Sequence, residues 1–237
     1  GYFRYIFILY VFLINRYIIS LLLGHTQAAF PYISDTASYA PESCIFSQFI
    51  NMIFIYLISV TFIIYIRYSQ VKECSNTFRL QESLPKWNFW ALILGLSSTL
   101  SMSIVANFQQ SSVMVMHYIG AVLFLLSSTA YFWTQAVCSF YLHPLGCSLR
   151  LAHFRTALST FCTVCFFVIF ITVILILPFI GTNLRRWYKE DGGWELHIVS
   201  TVSEWLFVIA LSVYILTFTE EFRDIRISYP TVDFFLC

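Results

Sequence analysis

Two side chains that exchange protons, His197 and Glu204, stand seven residues apart in an otherwise apolar stretch near the C-terminal end of the chain. A spacing of seven places both on one face of an α-helix, and Ser200 and Thr201 lie on or near that face. Ionisable groups at membrane depth are costly and are usually kept for hydrogen bonding, proton exchange or ligand binding. The stretch therefore predicts a helix with one polar face.

Further polar side chains are expected to gather around this pair at the same end of the molecule. They flank or end the apolar stretches, and they are His25, Asp35, Glu42, Asn107, Gln109 and His117. Three interpretations remain open. The first is a structural network whose hydrogen bonds contribute roughly 0.6–2 kcal/mol each. The second is a lipid-headgroup or proton-sensing site in which Glu204 pairs with a histidine. The third is an intramembrane hydrolase, which needs a nucleophile or a metal such as zinc.

The hydrolase interpretation rests on residue types alone. The sequence contains no His-Glu-x-x-His and no Gly-x-Ser-x-Gly, the usual signatures of zinc and serine hydrolases. Its seven cysteines are scattered, so they predict neither a zinc site nor a disulfide framework. We therefore assign no catalytic residue, no metal ligand and no cofactor.

The elements that position these residues follow from the composition. Of 237 residues, 59% are hydrophobic and 11% are charged, where soluble domains average about 25% charged. An all-α integral membrane bundle is predicted, one domain over residues 1–237, because six apolar runs are long enough to cross a bilayer as helices. These runs cover residues 5–23, 46–66, 87–106, 113–137, 157–180 and 198–218.

Lysine and arginine predict the orientation. Nine of them fall on one side of the six spans and three on the other, so the positive-inside rule places both termini in the cytoplasm. The first loop, residues 25–45, would then form a turn-rich cap on the lumenal side. The net charge of +1 excludes a nucleic-acid binder driven by a basic surface. The expected partners are membrane lipids and cytosolic or membrane proteins.

Arg16 is unusual because it lies deep within the first apolar run. One interpretation pairs it with Glu204 across the bundle, since unpaired charge at that depth is costly. The other places the span later in the chain, or extends the side chain towards the interface.

A short pattern in the tail bears on location. Tyr229 and Val232 fit the Tyr-x-x-apolar pattern of endosomal and lysosomal sorting signals. The pattern follows the last span by some ten residues, on the predicted cytoplasmic side.

Four blocks resemble one family, the damage-regulated autophagy modulators (DRAM family). They follow the family's order, and they are Phe30-Pro-Tyr-Ile-Ser-Asp-Thr36 with Pro41-Glu-Ser43, Ser103-Ile-Val-Ala-Asn-Phe-Gln109, His117-Tyr-Ile-Gly-Ala121, and His197 through Glu204-Trp205 with Leu216-Thr-Phe218. The residues Tyr131-Phe-Trp-Thr-Gln135 look more like a sister branch of plasma-membrane proteins. The loop at Trp187 departs from the family's usual Trp-Asn-Pro.

The resemblance implies a six-span lysosomal or endosomal protein that promotes autophagy and, in some settings, apoptosis. It transfers no catalytic residues, so an enzyme is not expected. The sister branch implies one alternative, a plasma-membrane adaptor for phosphoinositide kinase signalling. More distant relatives imply another, a lipid-remodelling or lipid-binding protein.

Overall fold

The computed structural model describes residues 2–26, 31–37, 42–108, 110, 113–179 and 189–222, and the regular elements of that part are helical. The α-helices are α1 (Tyr2–Leu22), α2 (Glu42–Phe78), α3 (Leu84–Asn107), α4 (Met114–Leu142), α5 (Leu149–Ile176), α6 (Trp194–Leu216) and α7 (Thr219–Phe222). Short 3-10 turns occur at Asp35–Ala37, Leu177–Phe179 and Lys189–Asp191.

Within this part of the chain, four helices are long and apolar enough to cross a bilayer. They are Leu84–Asn107, Met114–Leu142, Leu149–Phe179 and Trp194–Leu216, and a shorter apolar helical stretch covers Leu13–Leu22. Only 22–39% of the most apolar part of each is buried inside the protein. Apolar side chains therefore dominate the outer surface, as lipid contact requires. The chain is a multi-pass membrane protein.

Helices overlie all six predicted spans, but some run further than the apolar runs do. Helix α2 begins at Glu42, so this residue lies in a helical turn rather than in the first loop where the sequence placed it. It continues to Phe78, well past residue 66, and α5 begins at Leu149 rather than at 157. Polar residues with good helix propensity extend a helix beyond its apolar core, and composition does not mark where it ends.

The turn between α2 and α3 is built from local backbone preferences. Arg79 has a left-handed φ of 46°, and the next amide, Leu80 N, donates to Ser75 O at 3.2 Å. This geometry closes the C-terminal end of a helix by satisfying its last carbonyls. Pro85 stands in the first turn of α3, where its missing N–H costs nothing.

Consecutive helices pack against each other from α2 to α6 around an aromatic core. Phe132 and Tyr214 stack at 4.1 Å between ring centroids, and the Tyr214 hydroxyl donates to Phe132 O at 2.8 Å. A Cβ on Gly95 would lie 2.9 Å from Ile64 Cγ2, so glycine is what lets α2 and α3 approach there. Gly120 of α4 likewise allows α4 to approach Ile104 of α3, because a Cβ at this position would meet the Ile104 side chain.

Candidate functional site: two buried polar clusters

The first cluster holds residues 31–37, the described part of the first loop, between α1 and α6. Glu204 Oε2 accepts a hydrogen bond from Ile33 N at 2.9 Å. Arg16 Nη2 donates to the carbonyl oxygen of the same residue, Ile33, and Arg16 Nε donates to Thr36 Oγ1 at 3.0 Å. Two opposite charges thus bind the N–H and the C=O of one loop residue. We call these four residues the Arg16–Glu204 cluster.

The charges of this cluster are inside the bundle. Arg16 is only 2% exposed, and its guanidinium and the Glu204 carboxyl group bind the same loop residue, Ile33. Next to Glu204, Trp205 Nε1 donates to Pro31 O at 3.2 Å. A buried charge without a partner is far more costly than a paired one. The loop supplies partners to the charged side chains of α1 and α6, so the loop and these two helices stabilise one another. This agrees with the interpretation that pairs Arg16 with Glu204 across the bundle.

Aromatic contact joins the loop to the polar face of α6. The rings of Tyr32 and His197 meet edge to face, with centroids 5.1 Å apart. Burial raises the pKa of the Tyr32 hydroxyl well above its usual range, so this side chain stays neutral at physiological pH. Ser200 and Thr201, which the helical spacing placed on or near that face, are both fully buried.

The beginning of α4 completes this end of the molecule. Ser34 Oγ donates to Gln110 Oε1 at 3.1 Å, and Gln110 Nε2 donates to the Tyr118 hydroxyl at 3.2 Å. His117 Nδ1 donates to Phe108 O at 2.8 Å and so closes the turn between α3 and α4. The loop is therefore attached to α1, α6 and the α3–α4 connection.

The structure brings some of the residues selected from sequence together and leaves others apart. Asp35, only 2% exposed, His197 and Glu204 meet at the loop. Asn107 is exposed and donates to Ser103 O of its own helix at 2.8 Å.

The remaining selected residues stand elsewhere. His117 binds the α3–α4 turn, and half-buried His25 follows α1, its N–H donating to Ser20 O at 2.9 Å. The Glu42 side chain, Gln109, Tyr229 and Val232 lie outside the described residues.

In the Arg16–Glu204 cluster, two ionisable side chains form hydrogen bonds with the peptide backbone of one loop residue. Across the described ranges, no group of three or more His, Cys, Asp or Glu side chains is placed to hold a metal ion. What the geometry does offer is a fixed position for a loop, set by one guanidinium and one carboxylate. Any change in either charge would change how firmly that loop is held.

A second cluster lies at the other end of α6, where Glu221 of α7 meets two arginines. Glu221 Oε2 accepts from Arg67 Nη1 at 2.9 Å and from Arg155 Nη2 at 2.7 Å, and its Oε1 accepts from Arg155 Nη1 at 3.2 Å. Both arginines are 0% exposed. Arg155 thus binds the carboxylate through two nitrogens, the strongest geometry for this pair. We call these residues the Arg67–Arg155–Glu221 cluster.

The remaining donors of the two arginines connect this cluster to the helices around it. Arg67 Nε donates to Gln135 Oε1 of α4 at 3.0 Å, and Arg155 Nε donates to Thr217 Oγ1 at 3.0 Å. The Phe218 ring lies within 4.6 Å of Arg155 Cζ and 5.3 Å of Arg67 Cζ, which adds cation–π attraction. The cluster therefore joins α2, α4, α5 and α7.

Electrostatics favour the charged form of the carboxylate. Burial by itself would raise the pKa of the Glu221 carboxyl, but the charge of Arg67 and the hydrogen bonds from Arg155 outweigh burial and hold that pKa below its usual range. Two guanidinium charges share one carboxylate. Arg67 Nη2 is buried and has no hydrogen-bond partner within the described part of the chain.

Comparison with known proteins shows where the chain belongs. Residues 2–225 match the family described as the Frag1/DRAM/Sfk1/Cwh43P N-terminal domain. The chain belongs to this family. The relationship to the DRAM proteins that the four sequence blocks predicted is confirmed.

Several relatives within the Frag1/DRAM/Sfk1 family are similar over most of their length. DNA damage-regulated autophagy modulator protein 2 of Homo sapiens is 32% identical over 218 residues, which are 90% of this chain and 80% of that protein. Protein 1 of the same name, also from Homo sapiens, is 33% identical over 92% of this chain and 88% of its own. Modulator of macroautophagy TMEM150B of Danio rerio is 29% identical over 86% of this chain and 75% of its own. No solved structure matches the chain.

Sequence reasoning missed the second cluster of this family member. It counted Arg67 and Arg155 only among the nine basic residues of the cytoplasmic side and gave Glu221 no role. The position of these residues in the sequence could have indicated the cluster. Each arginine stands within one or two turns of a long apolar run, and Glu221 comes just after the last run. A charge so close to an apolar run has to find a partner if the helix continues past it.

Proposed function

We propose that this member of the Frag1/DRAM/Sfk1 family is a non-catalytic protein of lysosomal and endosomal membranes that modulates autophagy. It crosses the bilayer six times, with both termini in the cytoplasm and the first loop in the lumen. The observation that carries this proposal is the similarity to two human proteins named autophagy modulators, over 90% or more of the chain.

The two clusters support a role in interaction rather than catalysis. Their charged groups bind each other or the backbone, as Arg16 and Glu204 do at Ile33, and this arrangement fixes the shape of each end of the bundle. The surfaces so fixed are the lumenal loop and the end of the last helix. Membrane lipids and cytosolic or membrane proteins are the partners that such surfaces would contact.

The first test is localisation of a tagged full-length protein against lysosomal and plasma-membrane markers, together with autophagic flux in the same cells. We expect lysosomal signal and altered flux. Replacing Tyr229 with Ala would shift the protein to the cell surface if the tail pattern directs sorting. Plasma-membrane signal of the unaltered protein with normal flux would contradict the proposal and favour the kinase-adaptor alternative.

A variant can separate the role of the first cluster from mere expression. Glu204→Gln is expected to weaken the effect on flux while the protein still reaches its membrane. Glu195→Gln is the matched control, because Glu195 is an exposed acid in the first turn of the same helix. Equal effects of the two variants on flux would show that the cluster has no part in the activity.

A further inference from the structure

A small cavity lies between the end of α2 and the beginning of α3. Its volume is about 130 Å³, while a single water needs roughly 10–15 Å³, so it has room for a group of several heavy atoms. Its polar lining includes Lys72, Ser75 and Asn76 of α2 and Asn88 of α3. It is separate from both clusters described above.

One wall of the cavity offers a buried acceptor. Asn88 is 2% exposed, and its Nδ2 donates to Tyr68 O at 2.8 Å. Because only the NH₂ group can donate to a carbonyl, this bond fixes which way the amide faces. The other atom, Oδ1, is buried and has no hydrogen-bond partner among the described residues. Leaving such an atom without a donor is unfavourable, and a ligand that donates to it would remove that cost.

The described lining of the cavity carries one positive charge. Lys72 lines it, and none of its described lining residues is acidic. Leu84 and Pro85, the first residues of α3, also line it. The positive end of the α3 dipole therefore faces the same space and adds to the attraction for an anion.

Exposed aromatic residues indicate the depth of the cavity in the membrane. Trp87 and Trp90, in the first two turns of α3, are 39% and 57% exposed. Exposed tryptophans collect at the level of lipid headgroups. A cavity beside the first turn of α3 thus lies where lipid phosphates are found.

We propose that this cavity binds the headgroup of a glycerophospholipid that carries a hydroxyl or ammonium hydrogen-bond donor beside its phosphate. The phosphate is attracted by Lys72 and by the positive end of α3. The donor of the headgroup binds Asn88 Oδ1. A choline headgroup has no such donor, so phosphatidylcholine is the natural comparison.

The test uses the purified full chain in mixed micelles, with lipid retention measured by native mass spectrometry. Phosphatidylglycerol is the probe and phosphatidylcholine the comparison. We expect phosphatidylglycerol to be retained preferentially. Lys72→Gln should weaken its retention about fivefold, since one lysine near a lipid surface contributes about 1 kcal/mol. Lys86→Gln is the matched control, because Lys86 is an exposed lysine of α3 that does not line the cavity.

Asn88→Leu tests the acceptor, and it should reduce the preference for phosphatidylglycerol over phosphatidylcholine to the part that the charge of Lys72 supplies. Lys72 is exposed, so Lys72→Gln decides the matter even if the Asn88 variant does not fold. Equal loss in Lys72→Gln and Lys86→Gln would reduce the effect to general surface charge and overturn the proposal. Equal retention of the two lipids by the unaltered chain would overturn it too. Saturation by soluble glycerol 3-phosphate without lipid competition would assign the cavity to a free phosphate compound instead.

Discussion

The Arg16–Glu204 and Arg67–Arg155–Glu221 clusters both bury opposite charges, but they hold different things in place. In the first, each charge binds the backbone of Ile33, and a loop is fixed between two helices. In the second, the charges bind one another directly and fix helices to helices. A change at the first end is therefore expected to act mainly on the loop and on its attachment to α1 and α6, whereas loss of the carboxylate at the second end is expected to loosen several helices.

The largest effect is expected from Glu221→Gln. This change leaves Arg67 and Arg155 buried without a counter-charge, and breaking a buried ion pair costs about 3–5 kcal/mol. Thermal and denaturant unfolding in detergent micelles would measure it. Glu82→Gln is the control, because Glu82 is exposed. If the two variants unfold alike, the second cluster does not stabilise the bundle as the contacts indicate.

A smaller and more local effect is expected from Glu204→Gln. The amide oxygen can still accept from Ile33 N, so the loss is mainly that of a charged hydrogen bond and of the attraction to Arg16, about 2 kcal/mol. Hydrogen exchange should rise in residues 31–37 and stay unchanged around Glu221. Exchange that rises equally at both ends would contradict the separation of the two clusters.

A double-mutant cycle sharpens this prediction. Arg16→Met in the Glu204→Gln background should cost less than Arg16→Met alone, because the second change removes a charge that has already lost its partner. A coupling of about 1 kcal/mol or more is expected. Simple additivity would show that the two residues stabilise the loop independently.

A finer comparison lies within the second cluster itself. Arg155 binds Glu221 through two nitrogens, whereas Arg67 binds Glu221 through one. A lysine cannot reproduce the two-nitrogen geometry. Arg155→Lys should therefore destabilise the protein by about 1 kcal/mol more than Arg67→Lys does. Unfolding measured side by side checks this, and equal losses would contradict it.

The smallest effect is expected from pH. The pKa of Glu221 is held below its usual value of about 4.3, so its contribution is fully present above that value and is lost as pH falls through the lower, folded-state pKa. The difference in unfolding free energy between the unaltered chain and Glu221→Gln should stay constant from about pH 8 to pH 5. A decline within that window would show that the carboxylate is less well paired than its contacts indicate.

The helical architecture could be predicted because long apolar runs have few other solutions in a bilayer. The polar face of α6 was also predictable, since the seven-residue spacing of His197 and Glu204 depends on helix geometry alone. The sequence placed Arg16 near Glu204 as one of two interpretations, and the binding of both side chains to the backbone of Ile33 supports it.

The remaining contacts could not be predicted for two physical reasons. Ile33 is held through its backbone, and no side-chain type indicates which peptide group a charge will bind. Arg67 is 154 residues from Glu221 along the chain, so their pairing depends on how the helices are arranged and not on local sequence. The predicted second span also ended at residue 66, just before Arg67, whereas α2 continues past Arg67 as one helix.

The length of α2 has a consequence for the membrane in which the protein resides. The apolar part of this helix, residues 46–66, runs roughly 30 Å at 1.5 Å per residue, which matches a hydrocarbon core of about 30 Å. Because Arg67 is fixed to Glu221 and Gln135, α2 cannot slide along its axis to match a different thickness. A thinner or thicker bilayer would therefore have to be met by tilt or by deformation of the lipid, at fractions of a kcal/mol per ångström. The energy of the protein is thereby coupled to bilayer thickness, a property in which organelle membranes differ.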